Sequence, residues 1–182
     1  MIELIGFATD SRGEPGRVVV DTRINDGYLE LVYCWRDWAA TPIVGARAEN
    51  PQRRDELWRT TCAEIFVALD NEPYTGGPYL EFNFSPTGDW AAYRFDRTRT
   101  GMRPYVWTGD EAPRIALLGS SADLTLEVLL PLATLRSGSH RVAYASVVET
   151  ANGLSYWALK HPTDRPDFHH PGSFAAALEL PA

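Results

Sequence analysis

Apolar and polar residues alternate with a period of two along most of this chain, the spacing of a strand with one buried face. Tyr28 to Trp35 sets Tyr28, Glu30, Val32 and Cys34 against Leu29, Leu31, Tyr33 and Trp35. Val18-Val19-Val20 precedes this run across Ile24-Asn25-Asp26-Gly27, and Asp-Gly ahead of an apolar run predicts a hairpin. Further strands are predicted at Ile2–Ala8, Cys62–Leu69, Tyr79–Phe84, Trp90–Phe95, Arg114–Leu118, Asp123–Leu130, Ala143–Val148, Leu154–Ala158 and Phe174–Leu180. Gly76-Gly77-Pro78, Ser85-Pro86-Thr87-Gly88 and Ser137-Gly138-Ser139 punctuate them as turns. Helical signals are few: one turn at Pro131–Leu135, and a short helix at Asn50–Arg59 with Asn50 as cap and Pro51 at its first position. Ala39–Arg59, the longest stretch without a strand pattern, reads as a loop over one edge or mouth of the fold. Many short strands without βα alternation predict one all-β domain over residues 1–182, an antiparallel β-sandwich of jelly-roll-like form.

Alternation also assigns faces. In Cys62–Leu69 the residues Ala63, Ile65, Val67 and Leu69 share one apolar face, which leaves Glu64 beside Phe66 on the other. In Tyr79–Phe84, Leu80, Phe82 and Phe84 point to the core, and Tyr79, Glu81 and Asn83 point away. In Trp90–Phe95 the charge of Arg94 favours Ala91, Tyr93 and Phe95 as the inward set. Were these strands neighbours, one outer face would carry Glu64, Tyr79, Glu81, Asn83, Trp90 and Arg94. Carboxylates and amides bind paired hydroxyls, so the set suits a polar, multi-hydroxyl ligand. It equally suits a charge-paired, solvated sheet face. Two glutamates also match the acid and base of glycoside chemistry, though spacing along the chain does not set their separation in space.

A net charge of -7 argues against a sequence-independent grip on nucleic acid and against anionic membranes. Aromatic residues make up 12% of the chain, enough to line a cleft or an interface as well as a core. Met1 to Phe7 lacks a basic n-region and a long apolar run, so a cytoplasmic location is expected, with Cys34 and Cys62 as reduced thiols. The tail concentrates His161, His169 and His170 near Trp157, Asp164 and Asp167. Its spacing matches no zinc pattern; the histidines suit either loop hydrogen bonds or the mouth of a site. There is no Gly-x-Ser-x-Gly elbow and no phosphate-binding glycine loop.

The run from Glu56 through Val67, followed by Tyr79-Leu80-Glu81-Phe82-Asn83-Phe84-Ser85-Pro86-Thr87-Gly88, resembles the DOMON-like superfamily, which includes family 9 carbohydrate-binding modules and haem-binding cytochrome domains. Trp90 to Asp96, Arg99-Thr100-Gly101-Met102 and the tail from Ser155 to Phe174 are similar to a stand-alone bacterial DOMON-like group. The resemblance implies a sandwich with its ligand site on one sheet face and the loops around it. It implies Trp58, Trp90 and Trp157 as stacking platforms and Glu64, Glu81, Asn83 and Arg94 as polar partners. Its haem-binding members imply axial ligation by Met102 with Lys160, His161, His169 or His170, a chemically sound pair. The expectation is a non-catalytic module, without cofactor, for a carbohydrate or sugar-containing small molecule. Haem or metal binding, a glycan-processing enzyme using Glu64 or Glu81, and a protein partner are the alternatives.

Overall fold

Asp26 and Gly27 take φ angles of 49° and 84°, the positive pair that a two-residue hairpin turn requires. Hence β2 (Arg17–Asn25) returns directly as β3 (Tyr28–Arg36), with Asn25 opposite Tyr28. The computed structural model of the protein describes residues 1–7, 16–69, 74–107, 111–120 and 123–181. Its other strands are β1 (Ile2–Gly6), β4 (Cys62–Ala68), β5 (Tyr79–Phe84), β6 (Trp90–Phe95), β7 (Arg103–Pro104), β8 (Arg114–Ser120), β9 (Asp123–Pro131), β10 (Gly138–Thr150), β11 (Gly153–Ala158) and β12 (Ala176–Leu180). All pair antiparallel, in the order β7-β6-β5-β4-β10-β11-β1-β2-β3-β9-β8, with β12 also on β10. The all-β, antiparallel, sandwich-like fold read from the alternation is the one observed.

β1 is the seam of this sheet. Ile2 to Leu4 pair with β2, whereas Ile5 and Gly6 pair with β11. The sheet thereby curls over into two facing layers. Val18, Leu31, Tyr33, Trp35 and Leu126 of one layer meet Ile65, Val67, Leu80, Phe82 and Phe84 of the other in one apolar core. Two polar links cross it. The Tyr33 hydroxyl donates to the Glu64 main-chain carbonyl at 2.6 Å. Trp35 Nε1 donates to Ser146 Oγ at 3.0 Å, and that hydroxyl donates to the Cys62 carbonyl at 2.9 Å. Buried polar groups are thus paired inside the layer contact. Cys34 and Cys62 are both free.

Two local expectations change. The helix at Asn50–Arg59 does not form; only Leu57–Arg59 makes a single 3-10 turn. Residues 52–54 instead run alongside β6, with Trp90 N–H donating to the Gln52 carbonyl at 3.2 Å and Arg54 N–H to the Trp90 carbonyl at 2.8 Å. Asp89 enforces this path: its carboxylate accepts from Gln52 N–H at 3.0 Å and from Arg54 Nε at 2.8 Å. A buried carboxylate needs such donors, and Glu56, at φ 63°, breaks the helical run. Second, β10 is far longer than Ala143–Val148, because its first part has β12 as a partner and its second part has β4 and β11. The predicted single turn after β9 appears as Leu132–Thr134. Ala8 of the first predicted strand lies outside the described residues. Among the described residues no helix is long and apolar enough to cross a membrane.

Candidate functional site

The outer face of β4 and β5 carries the predicted Glu64, Tyr79, Glu81 and Asn83, with Glu64 opposite Asn83 and Phe66 opposite Glu81. It is not solvated: Glu64, Glu81 and Asn83 are 2%, 4% and 0% exposed. Loops cover it, and specific contacts hold each loop down. The Tyr93 hydroxyl on β6 donates to Asp55 at 2.7 Å, and Arg53 lies 5.2 Å above the Tyr93 ring while pairing with the same Asp55. That strap brings Trp58 edge-on to Tyr93, ring centroids 5.6 Å apart. On the opposite side Arg99 grips Asp167 Oδ1 through Nη2 at 2.8 Å and Nε at 3.2 Å. Asp167 also accepts from His169 N–H at 3.2 Å, which orders the tail across the sheet.

Between strap and tail lies a chamber of about 340 Å³, within the size range of small-molecule sites. Trp58, Phe95, Tyr156, Phe168, Val147, Pro166 and Met102 supply its apolar lining; Glu64, Glu81, Arg99 and His169 supply its polar one. Burial pushes the Glu64 carboxyl well above its ordinary range, and the charge of Glu81 adds to this. Burial also raises Glu81, to about 7, against the opposing pull of its hydrogen bond from Asn83 and the charge of Arg99. His169 is lowered to about 4 by burial first and Arg99 second. The Tyr79 hydroxyl accepts from Arg99 N–H at 3.3 Å and lies 2.7 Å from His169 Nδ1. The other ring nitrogen, Nε2, lies 3.9 Å from Glu81 Oε2. Asn83 Nδ2 donates to Glu81 Oε1 at 2.7 Å. Glu64 Oε1 and Asn83 Oδ1 are buried without a partner.

The structure therefore gathers Trp58, Glu64, Tyr79, Glu81, Asn83 and His169, and separates the rest. Trp90 and Arg94 are corrections. Trp90 stands opposite Phe84 and Arg94 opposite Leu80, on the side that faces the other layer, while Tyr93 stands opposite Glu81. The outer face is roofed and partly apolar, so Tyr93 and Phe95 belong there and a charge no longer marks the outside. Trp90 packs on Trp107 instead, centroids 5.1 Å apart. Trp157 is a second correction: it is buried in the core between layers, edge-on to Trp38 at 5.5 Å, with Nε1 bonded to Ser155 at 3.0 Å. His161 Nε2 meets the Ile5 carbonyl at 2.8 Å, and His170 Nδ1 accepts from Gly172 N–H at 3.0 Å to cap a one-turn helix. Tyr156, Phe95, Phe168, Arg99 and Asp167 were missed. Tyr156 beside Trp157 was the available signal, since adjacent strand residues face opposite sides.

Haem ligands can be tested against this geometry. Of the nitrogen ligands named, His169 alone joins Met102 in lining the chamber. Its Nδ1 is engaged by Tyr79 at 2.7 Å and its Nε2 lies 3.9 Å from Glu81. Among the described residues no group of three or more His, Cys, Asp or Glu is placed to hold a metal ion.

No protein-family model matches this chain, and no curated protein matches it significantly. What fold and site define together is a class: a curled antiparallel sandwich with a loop-roofed, aromatic-walled chamber floored by two buried carboxyls.

Proposed function

We propose that this protein is a binding module for a carbohydrate or sugar-containing small molecule, taken into the chamber on the outer face of β4 and β5. The observation that carries the reading is Glu64 Oε1, buried without a partner on a residue that lines an aromatic-walled cavity, with a second unpartnered acceptor, Asn83 Oδ1, on the residue opposite it in β5. A buried polar atom left unpaired costs about 1–3 kcal/mol, and hydroxyl donors of a ligand would relieve it. Trp58, Tyr156 and Phe168 offer ring faces to the apolar side of a sugar. A volume of about 340 Å³ favours a single ring over an oligomer. Thermal shift against sugars, sugar nucleotides and cell-wall fragments tests it. Ligand present at about 100 times its Kd stabilises by about 2.7 kcal/mol. The expected result is a raised melting temperature with one sugar class, lost in Trp58→Ala; no shift with any sugar overturns the reading.

One observation favours a second reading, a glycan-processing enzyme. A carboxyl raised to about 7 beside a neutral histidine is suited to general acid–base work. Turnover abolished in Glu81→Gln with sugar binding retained would establish it; turnover unchanged in Glu81→Gln and Glu64→Gln would dismiss it.

A further inference from the structure

Charge is the unmet requirement of this chamber. Glu64 and Glu81 are both more than nine-tenths buried and both line it. Among the described residues neither has a lysine or arginine within ion-pair distance, and the nearest basic group, His169 Nε2, is 3.9 Å from Glu81. Arg99 offsets them only in part: its charge lowers Glu81, but its guanidinium is bonded twice to Asp167. His169 is neutral at ordinary pH. With both glutamates ionised, two negative charges share a largely apolar enclosure with no cation bonded to either, an arrangement proteins avoid unless a cation or a proton joins it.

Hydrogen-bond geometry points the same way. Glu64 lines the floor with its Oε1 unpartnered, and in the ionised carboxylate that atom only accepts. A hydroxyl brings one proton and two lone pairs to such a site; an ammonium brings three protons and no lone pair. The walls agree, since Trp58, Phe95, Tyr156 and Phe168 present aromatic rings, whose faces attract a desolvated cation.

We infer that the ligand carries a protonated amine, held on Glu64 and Glu81 and enclosed by Trp58, Tyr156 and Phe168: an amino sugar or another single-ring amine. This rests on the reading of the chamber as a small-molecule site and narrows it. In the empty protein the carboxyl pair is relieved by protonation. The amine must displace that proton, so binding tightens as pH rises through the titration of Glu81. The groups facing the pair are His169, Arg99, Asp167 and Tyr79, with Cys62 two residues before Glu64 on the same strand. His169 titrates near 4, and burial raises Tyr79 and Cys62 above their ordinary values of 10.0 and 9.0. Asp167 is paired with Arg99. Glu81 is thus the part of the chamber that responds between about pH 5.5 and about pH 7.

Calorimetric titration of the whole protein with two matched pairs, glucosamine against glucose and cyclohexylamine against cyclohexanol, tests this at about pH 5.5 and about pH 7. The expected result is glucosamine binding at least about tenfold tighter than glucose at the higher pH, with the advantage shrinking at the lower. Glu64→Gln and Glu81→Gln, near-isosteric and neutral, should each erase that preference while their urea midpoints do not fall. Glucose binding as well as glucosamine overturns the amine and leaves the sugar reading standing. Cyclohexylamine binding while neither sugar binds upholds the amine and removes the sugar. Preference retained in both Gln variants, or no binding by any of the four, overturns the inference.

Discussion

The two faces of β4 and β5 are buried almost equally and are built in different ways. On one face Ile65, Val67, Leu80, Phe82 and Phe84 meet a second layer of strands in one apolar cluster. On the other, Phe66, Tyr79 and Tyr93 meet loops held by a few discrete contacts, such as Arg99 on Asp167 and Tyr93 on Asp55. A strand layer offers a regular row of side chains that closes the gap to native density. Loops fixed at separate points arch over the sheet and leave a chamber of about 340 Å³ into which carboxyls project. The roof, more than the sheet, decides whether a buried face becomes core or site.

This contrast can be broken or sharpened by experiment. The largest effect is expected at the strand-roofed face: Phe82→Ala should cost about 3–5 kcal/mol in urea unfolding, since both layers crowd the site and cannot collapse onto the void. A cost near that of a surface substitution would contradict a close-packed layer contact. Next comes Tyr33→Phe, which leaves the Glu64 carbonyl without its cross-layer donor; about 1–3 kcal/mol should be lost.

The pH profile of stability comes third and belongs to the loop-roofed face. Glu64 and Glu81 have raised folded-state pKa values, so their contribution is full below the ordinary 4.5 and is lost as pH rises to about 7 for Glu81. His169, lowered from 6.5 to about 4, acts in the opposite sense: its contribution is full above 6.5 and is lost as pH falls towards 4. The slopes partly cancel in the parent. Glu81→Gln removes one of them and should make the slope between these limits more positive by up to about 1.4 kcal/mol per pH unit, leaving Glu64 and His169 as the opposed contributors. A slope identical to the parent's would remove the carboxyl pair from the account. The smallest effect is expected at Met102→Ala: the side chain is 49% exposed at the chamber, so stability should move by less than about 0.5 kcal/mol. A larger loss would show that the chamber edge bears structural weight.

Strand positions were legible because period-two alternation needs only local information, and β5 and β6 appear with the predicted bounds. The side of the sheet carrying Glu64, Glu81 and Asn83 was legible too, since their partners Ile65, Leu80 and Phe82 are plainly core-forming. The phase of β6 was not. When both faces are covered, Tyr93 and Ala92 look alike to a rule that sends apolar residues inward, and Arg94 at the end of a strand misleads it. Trp157 failed for a related reason: its row in β11 is settled by pairing with Ser146, a contact between strands far apart in the chain. The roof itself depends on Asp55, Asp89 and Asp167, whose role arises only from donors brought in through the fold.

The divided pairing of β1 has a consequence for how the protein is made on the ribosome. Its first half can find β2 as soon as Arg17 to Asn25 have emerged, but its second half must wait for Trp157 and Ala158. A nascent chain shorter than this can form hairpins, yet it cannot join its two layers at that edge. Closure is therefore a late, long-range event, of the kind that slows folding and leaves strand edges open in the meantime.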